Sequence, residues 1–160
     1  MKAGYKLNKV IFKLREGDKA GKPNECSIGG KWIEKSTDDF FKNKRVVLFS
    51  LPGAFTPTCS ASHLPRYEAL YDAFREAGID DVICLSVNDA FVMSAWGDAC
   101  GVGDKVDMLS DGNGEMAAAL GLELDASGGG LGIRIQRFAA IVEDGVPPNL
   151  LYLVRAPGGK

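Results

Sequence analysis

The sequence predicts an α/β domain: a central mixed β-sheet flanked by helices on both faces. Three observations predict it. Val46 to Leu51, with a single serine, and Val82 to Val87 are near-continuous apolar runs, as strands covered on both faces are. Segments of helical period separate these runs, which implies parallel crossovers. Two last runs around Asp144-Gly145 imply an antiparallel hairpin. At 160 residues the chain is expected to form one domain, 1–160, with a proper core.

The elements follow in order. Val10, Phe12 and Leu14 alternate onto one face, which predicts an edge strand or hairpin arm. Residues 15–31 are rich in Gly, Lys and polar groups and read as loop. Ser36-Thr37-Asp38-Asp39 offers N-cap chemistry for a short helix carrying Phe40 and Phe41, ended by Lys42-Asn43-Lys44. After the strand at Val46, the residues Leu64, Tyr67, Tyr71 and Phe74 recur at helical spacing, with Gly78 as the C′ residue. Pro65 should kink the first turns of that helix or start a second segment.

Val82 to Val87 is the next buried strand, and Asn88-Asp89 caps a helix reaching about Cys100. Lys105 to Leu109 reads as a shorter strand, Asp111-Gly112-Asn113-Gly114 as a turn, and Glu115 to Leu120 as a helix. Residues 125–132 read as glycine-rich loop, Arg137 to Glu143 as a strand and Leu150 to Val154 as its partner.

Composition excludes several classes. Apolar residues make up 46% and charged residues 25%, and the net charge is −2 with no basic tract or acidic tail. Neither nucleic acid nor an anionic membrane is an expected partner. No apolar stretch is long enough to span a bilayer, and the start Met1 to Lys6 lacks the apolar run of a secretory signal. The four cysteines, Cys26, Cys59, Cys84 and Cys100, form no CxxC pair, and His63 is the sole histidine. A structural zinc site or a disulfide-stapled secreted domain is therefore not expected, and reduced thiols in a cytoplasmic setting fit best. Ser127 to Gly132 lacks the Lys-Ser/Thr of a phosphate loop, and the Asp111 turn lacks the distal glutamate of a calcium loop.

The chemistry centres on Cys59. It stands where a strand has ended and a helix begins, and the unpaired N–H groups and positive end of a first helical turn favour thiolate over thiol. Pro52 and Pro57 stiffen the loop before it, Gly53 lets the backbone turn closely, and Thr56 offers a hydroxyl. His63, four residues on, lies on the same helical face.

The run Pro52-Gly53-Ala54-Phe55-Thr56-Pro57-Thr58-Cys59-Ser60, followed by His63-Leu64-Pro65 and Tyr67, resembles the active-site signature of peroxiredoxins, closest to the type II or type 5 subfamily. The likeness continues through Asp81 to Met93, Trp96, Asp111 to Gly114 and Gly132-Ile133-Arg134, and covers about residues 5–146. It implies a thioredoxin-like fold and a thiol-dependent peroxidase that uses no metal, haem or flavin. By position, it makes Cys59 the peroxidatic cysteine, with Pro52, Thr56 and Arg134 around it. The thiolate would displace one peroxide oxygen and become a sulfenic acid. Fixed donors from Thr56, backbone N–H groups and Arg134 would stabilise the leaving oxygen, and Pro52 would shield the product. Without the resemblance, Arg137 competes with Arg134.

Cys84 matches a cysteine of plant-type members and is a candidate resolving residue, although its strand also reads as buried core. Cys26 and Cys100 read as incidental. The implied partners are a peroxide, an external thiol (glutaredoxin with glutathione, or thioredoxin) and a second copy in a homodimer. The rival readings are a thiol–disulfide oxidoreductase, against which the missing CxxC argues, and a non-enzymatic redox sensor or holdase signalling through oxidised Cys59. The family usually continues into a closing C-terminal helix, whereas this chain ends in Ala156-Pro157-Gly158-Gly159-Lys160, so an apolar sheet face is expected to lose cover.

Overall fold

The computed structural model describes residues 7–19, 28–57, 64–146 and 152–153. Its centre is a five-stranded mixed sheet. The strands are β3 (Arg45–Ser50), β4 (Asp81–Ser86), β5 (Asp107–Ser110), β8 (Phe138–Glu143) and β9 (Tyr152–Leu153), in the order β5-β4-β3-β8-β9. β3, β4 and β5 run parallel, and β8 and β9 are antiparallel additions. The expected mixed sheet with helices on both faces is the one observed.

Alternation along β3 builds two cores, because successive side chains point to opposite faces. Val46 and Leu48 join Ile83, Leu85, Ala140 and Val142 on one face. That face is covered by β1 (Ile11–Lys19), α1 (Thr37–Phe41) and α5 (Glu115–Leu120), through Phe12, Phe41, Met116 and Leu120. Val47, Phe49 and Leu51 join Val82 and Cys84 on the other face, under α2 (Leu64–Ala69), α3 (Tyr71–Glu76) and α4 (Ala90–Cys100). There Tyr67 stacks on Phe49 with ring centroids 3.7 Å apart. Cover thins at β8, where Ile141 lies opposite Val47 and is 41% exposed. Of the expected partner strand of β8, Tyr152–Leu153 pairs as β9, and the rest of Leu150 to Val154 lies outside the described residues.

The segment read as loop before Lys31 is a correction. β1 pairs with β2 (Ile28–Ser36) in a long antiparallel hairpin, from Ile11 opposite Ser36 to Lys19 opposite Ile28. Gly17, Gly29 and Gly30 sit inside this ladder at φ +78°, +92° and +74°. They look like turn residues in the sequence but serve here as strand positions that only glycine adopts without strain. Exposed ion pairs, Lys13–Glu34 and Lys31–Glu16, decorate the hairpin. Arg15 lies 4.9 Å from the ring centroids of both Trp32 and Phe91, clamping the hairpin to α4. Thr37 ties down the chain start: its hydroxyl accepts from Val10 N–H at 2.8 Å and donates to the Asn8 carbonyl at 2.9 Å.

Two further readings change. The helix expected through Phe74 is two, α2 and α3. The break between them falls at Leu70, at φ −89° and ψ 2°, while the turns before Pro65, where a kink is expected, lie outside the described residues. Gly78 does follow α3 at φ +85°, as a C′ residue should. The glycine-rich stretch is not all loop. It is the tip of a second small hairpin, β6 (Glu123–Asp125) with β7 (Ile133–Ile135), and Ser127–Gly129 forms a 3₁₀ turn between them. No described helix is long and apolar enough to cross a membrane.

Candidate active site

The loop leaving β3 and the hairpin carrying β7 meet at the carboxyl ends of β3 and β4. Leu51 continues the strand by donating its N–H to the Leu85 carbonyl, at 3.3 Å. The chain then turns through Pro52, Gly53, Ala54, Phe55 and Thr56. Phe55 takes φ +61°, a conformation strained for a bulky residue, and its ring is 55% exposed.

Arg134 reaches this loop from β7. Its Nε donates to the Leu131 carbonyl at 2.8 Å, which folds the side chain back along its own hairpin. Its Nη1 donates to the Val87 carbonyl at 3.2 Å and, more weakly, to the Pro52 carbonyl at 3.4 Å. These bonds use both Nη1 hydrogens, and among the described residues none engages Nη2. Gly53 lets the Thr56 and Arg134 side chains approach closely. A Cβ there would lie 3.1 Å from Thr56 Cγ2 and 3.3 Å from Arg134 Nη1. The structure thus gathers Pro52, Thr56 and Arg134 around one buried glycine. Arg137 immediately precedes Phe138, the first residue of β8.

The Thr56 hydroxyl donates its hydrogen to the Gly53 carbonyl at 2.7 Å, which leaves its oxygen lone pairs as acceptors. Cys59, His63 and Cys26 lie outside the described residues. Cys84 is fully buried in β4, opposite Phe49 in the ladder to β3. The Tyr67 hydroxyl is held above the ordinary tyrosine pKa, first by burial and then by the Cys84 thiol. Cys100 ends α4 partly covered, and burial raises its thiol pKa. Both described thiols are reduced, Cys84 in the core and Cys100 at its edge. Among the described residues no group of three His, Cys, Asp or Glu converges as metal ligands do.

Several supporting residues escaped the sequence. The fully buried Ser50 donates to the Gln136 carbonyl at 2.6 Å and accepts from Phe138 N–H at 3.2 Å. It thereby locks the β7–β8 junction, and with it Arg134, to the end of β3. Ser86 stands at the matching place on β4 and bonds to Asn88 Oδ1 at 2.7 Å. A lone serine at the end of an otherwise apolar strand was the available signal. Asn88 was grouped with Asp89 as a helix cap, but Asp89 alone caps α4: its Oδ1 accepts from Val92 N–H at 2.9 Å.

The site now has a lineage. The Redoxin family matches residues 16–153. Peroxiredoxin sll1621 of Synechocystis is 51% identical over 137 residues, covering 85% of this chain and 70% of that protein. Hybrid peroxiredoxin hyPrx5 of Haemophilus influenzae is 39% identical over 155 residues, 97% of this chain and 59% of the relative. The solved structure of reduced Prx3 in complex with H2O2 from Vibrio vulnificus matches with a TM-score of 0.81 at 38% identity, covering all of this chain (100%) and 91% of that one. A thioredoxin-like sheet, a cationic side chain buttressed against the loop that leads to a cysteine, and these likenesses have one reading: the chain belongs to the peroxiredoxin family and is a thiol-dependent peroxidase.

Proposed function

We propose that Cys59 is the peroxidatic residue, that Pro52, Thr56 and Arg134 form the pocket in which peroxide reacts, and that the unit doing so is the single domain 1–160. The observation that carries this reading is the convergence of Arg134 on the Pro52 carbonyl across 82 residues of sequence, on the loop that leads directly into Cys59.

In the reaction, a sulfur lone pair of the Cys59 thiolate attacks one oxygen of the peroxide and the O–O bond breaks. The sulfur is oxidised by two electrons to a sulfenic acid, and the other oxygen leaves as hydroxide or alkoxide and takes up a proton. The Nη2 edge of Arg134 is the donor for the charge growing on the leaving oxygen, and its carbonyl partners hold that donor in place beforehand. Thr56 Oγ1 accepts the hydroxyl hydrogen of a bound hydroperoxide and so orients it. A hydrogen peroxide molecule or the end of an alkyl hydroperoxide presents the same group.

Reduction of the sulfenic acid takes two external thiols. The first forms a mixed disulfide with release of water, and the second displaces Cys59 as thiolate. Glutathione with glutaredoxin, or thioredoxin, supplies that chemistry. The complete burial of Cys84 supports an external resolver over an internal one. A homodimer in the cytoplasm completes the proposal.

The test is intact mass after one equivalent of hydrogen peroxide, on wild type and Cys59→Ser, with and without a sulfenic-acid trap. Fast trapping confined to wild type is expected. A rapid loss of two hydrogens in wild type would instead indicate a disulfide, with Cys84 the first partner to test. Equal, slow oxidation of both proteins would remove Cys59 from the reaction.

A further inference from the structure

Asn88 occupies the turn between β4 and α4 and is half-buried. The helix does not need it, since Asp89 supplies the cap. Its side-chain oxygen instead accepts from Ala54 N–H at 3.0 Å and from the Ser86 hydroxyl at 2.7 Å, whose single hydrogen also has the Leu51 carbonyl within reach at 3.1 Å. A backbone N–H can only donate, so the amide oxygen, not its NH2, must face Ala54. Ser86 holds that orientation from a fully buried position at the strand end.

Ala54 is the residue just before the strained Phe55. A loop bent through such a conformation needs external restraint to stay there. Two side chains from outside the loop reach its backbone, Asn88 at Ala54 and Arg134 at Pro52. Both are organised by the same turn, because the carbonyl of Val87, next to Asn88, holds Arg134 Nη1. One short segment, Ser86-Val87-Asn88, therefore sets the loop and the cation relative to each other.

We propose that Asn88 is a positioning residue of the peroxidase reaction: its side-chain oxygen fixes the Ala54 backbone and so the placement of Pro52 and Thr56 against Arg134. This rests on the reading of Cys59, Pro52, Thr56 and Arg134 as the reacting site. It predicts that loss of the acceptor harms the step that needs aligned oxygen partners and spares thiol chemistry that does not.

The experiment compares wild type, Asn88→Leu, Asn88→Ala and Asn88→Asp. Three quantities are measured on each: the rate constant for thiol oxidation by hydrogen peroxide, the rate of alkylation of the same thiol by iodoacetamide, and the thermal midpoint. Removing the acceptor with Leu or Ala should slow peroxide oxidation about 10–100-fold, the scale on which small misplacements of reacting groups act. Alkylation, which needs a thiolate but no oxygen alignment, should stay within about threefold. Asp keeps both accepting bonds. It should recover most of the loss once its oxidation rate is divided by its alkylation rate, which corrects for any effect of the added charge on the thiol.

Oxidation within about twofold of wild type in both acceptor-free variants would overturn the proposal. So would a parallel fall in oxidation, alkylation and midpoint, or an Asp variant no faster than Leu by that ratio. Cys59→Ser, run alongside, separates the two levels: retained peroxidase activity in that variant sinks the underlying site assignment whatever Asn88 does.

Discussion

Two hairpins lie outside the five-stranded sheet, and they are held in opposite ways. The first, β1–β2, has nine-residue strands, buries Phe12 in the core and spends its polar groups on exposed ion pairs. The second, β6–β7, has three-residue strands. Its anchors are the buried Ile135, the Ser50 bond to the Gln136 carbonyl and a guanidinium that reaches two backbone carbonyls outside the hairpin. The long hairpin therefore contributes mainly apolar burial, and the short one contributes a placed charge. Substitutions in the first should cost stability, whereas substitutions in the second should cost rate.

Three outcomes sharpen or break that contrast. The largest is in the long hairpin. Phe12→Ala should destabilise the fold by about 3–5 kcal/mol, since it empties a fully packed site. Peroxidase activity per folded molecule should be unchanged, and denaturant unfolding with activity assayed on the folded fraction checks both. A matching loss of activity would mean that the long hairpin also shapes the site.

Next comes the short hairpin. Arg134→Lys keeps the charge but cannot donate from a planar fork to several carbonyls at once. A fall of about 10²-fold in kcat/KM is expected, the scale for losing one preorganised donor, with little change in thermal midpoint. If the midpoint drops as far as it does in Phe12→Ala, the guanidinium is a structural anchor first.

The smallest effect lies in the support of the short hairpin. Buried Asp111 accepts from Met116 and Ala117 N–H at 3.0 and 2.9 Å, fixing α5, which leads into β6. Burial outweighs those bonds and raises its carboxyl pKa above the ordinary 3.8. Folding therefore favours the protonated form. Its contribution to stability is full below the unfolded value and is lost as pH rises through the folded one. Asp111→Asn does not titrate, so the stability advantage of wild type over this variant, about 1–2 kcal/mol at acid pH, should shrink toward neutrality. Unfolding curves across that range test the sign, and a gap that widens with pH would reverse it.

Much of this was legible beforehand, and the exceptions share causes. β3 and β4 were readable because strands covered on both faces must be apolar at every position, and Val46–Phe49 and Val82–Leu85 are. The hairpin β1–β2 was not, because its outward face is charged and its glycines imitate a loop. β6–β7 was missed because three-residue strands carry too few residues for alternation to show. The Asn88 acceptor was hidden by a plausible local role that Asp89 in fact performs.

By itself, then, the sequence determined the alternation of strand and helix, the mixed sheet and the loop with its cysteine. These follow from local period, proline and glycine placement, and a run of residues specific enough to name a family. Only the tertiary structure brought Arg134 to that loop, gave the Thr56 hydroxyl its bond to the Gly53 carbonyl, and set Ser50, Ser86 and Asn88 in bonds between separate segments. Those facts depend on bonds between backbone groups far apart in the chain. A carbonyl looks the same at every residue in a sequence, and only the fold selects which ones a guanidinium can reach.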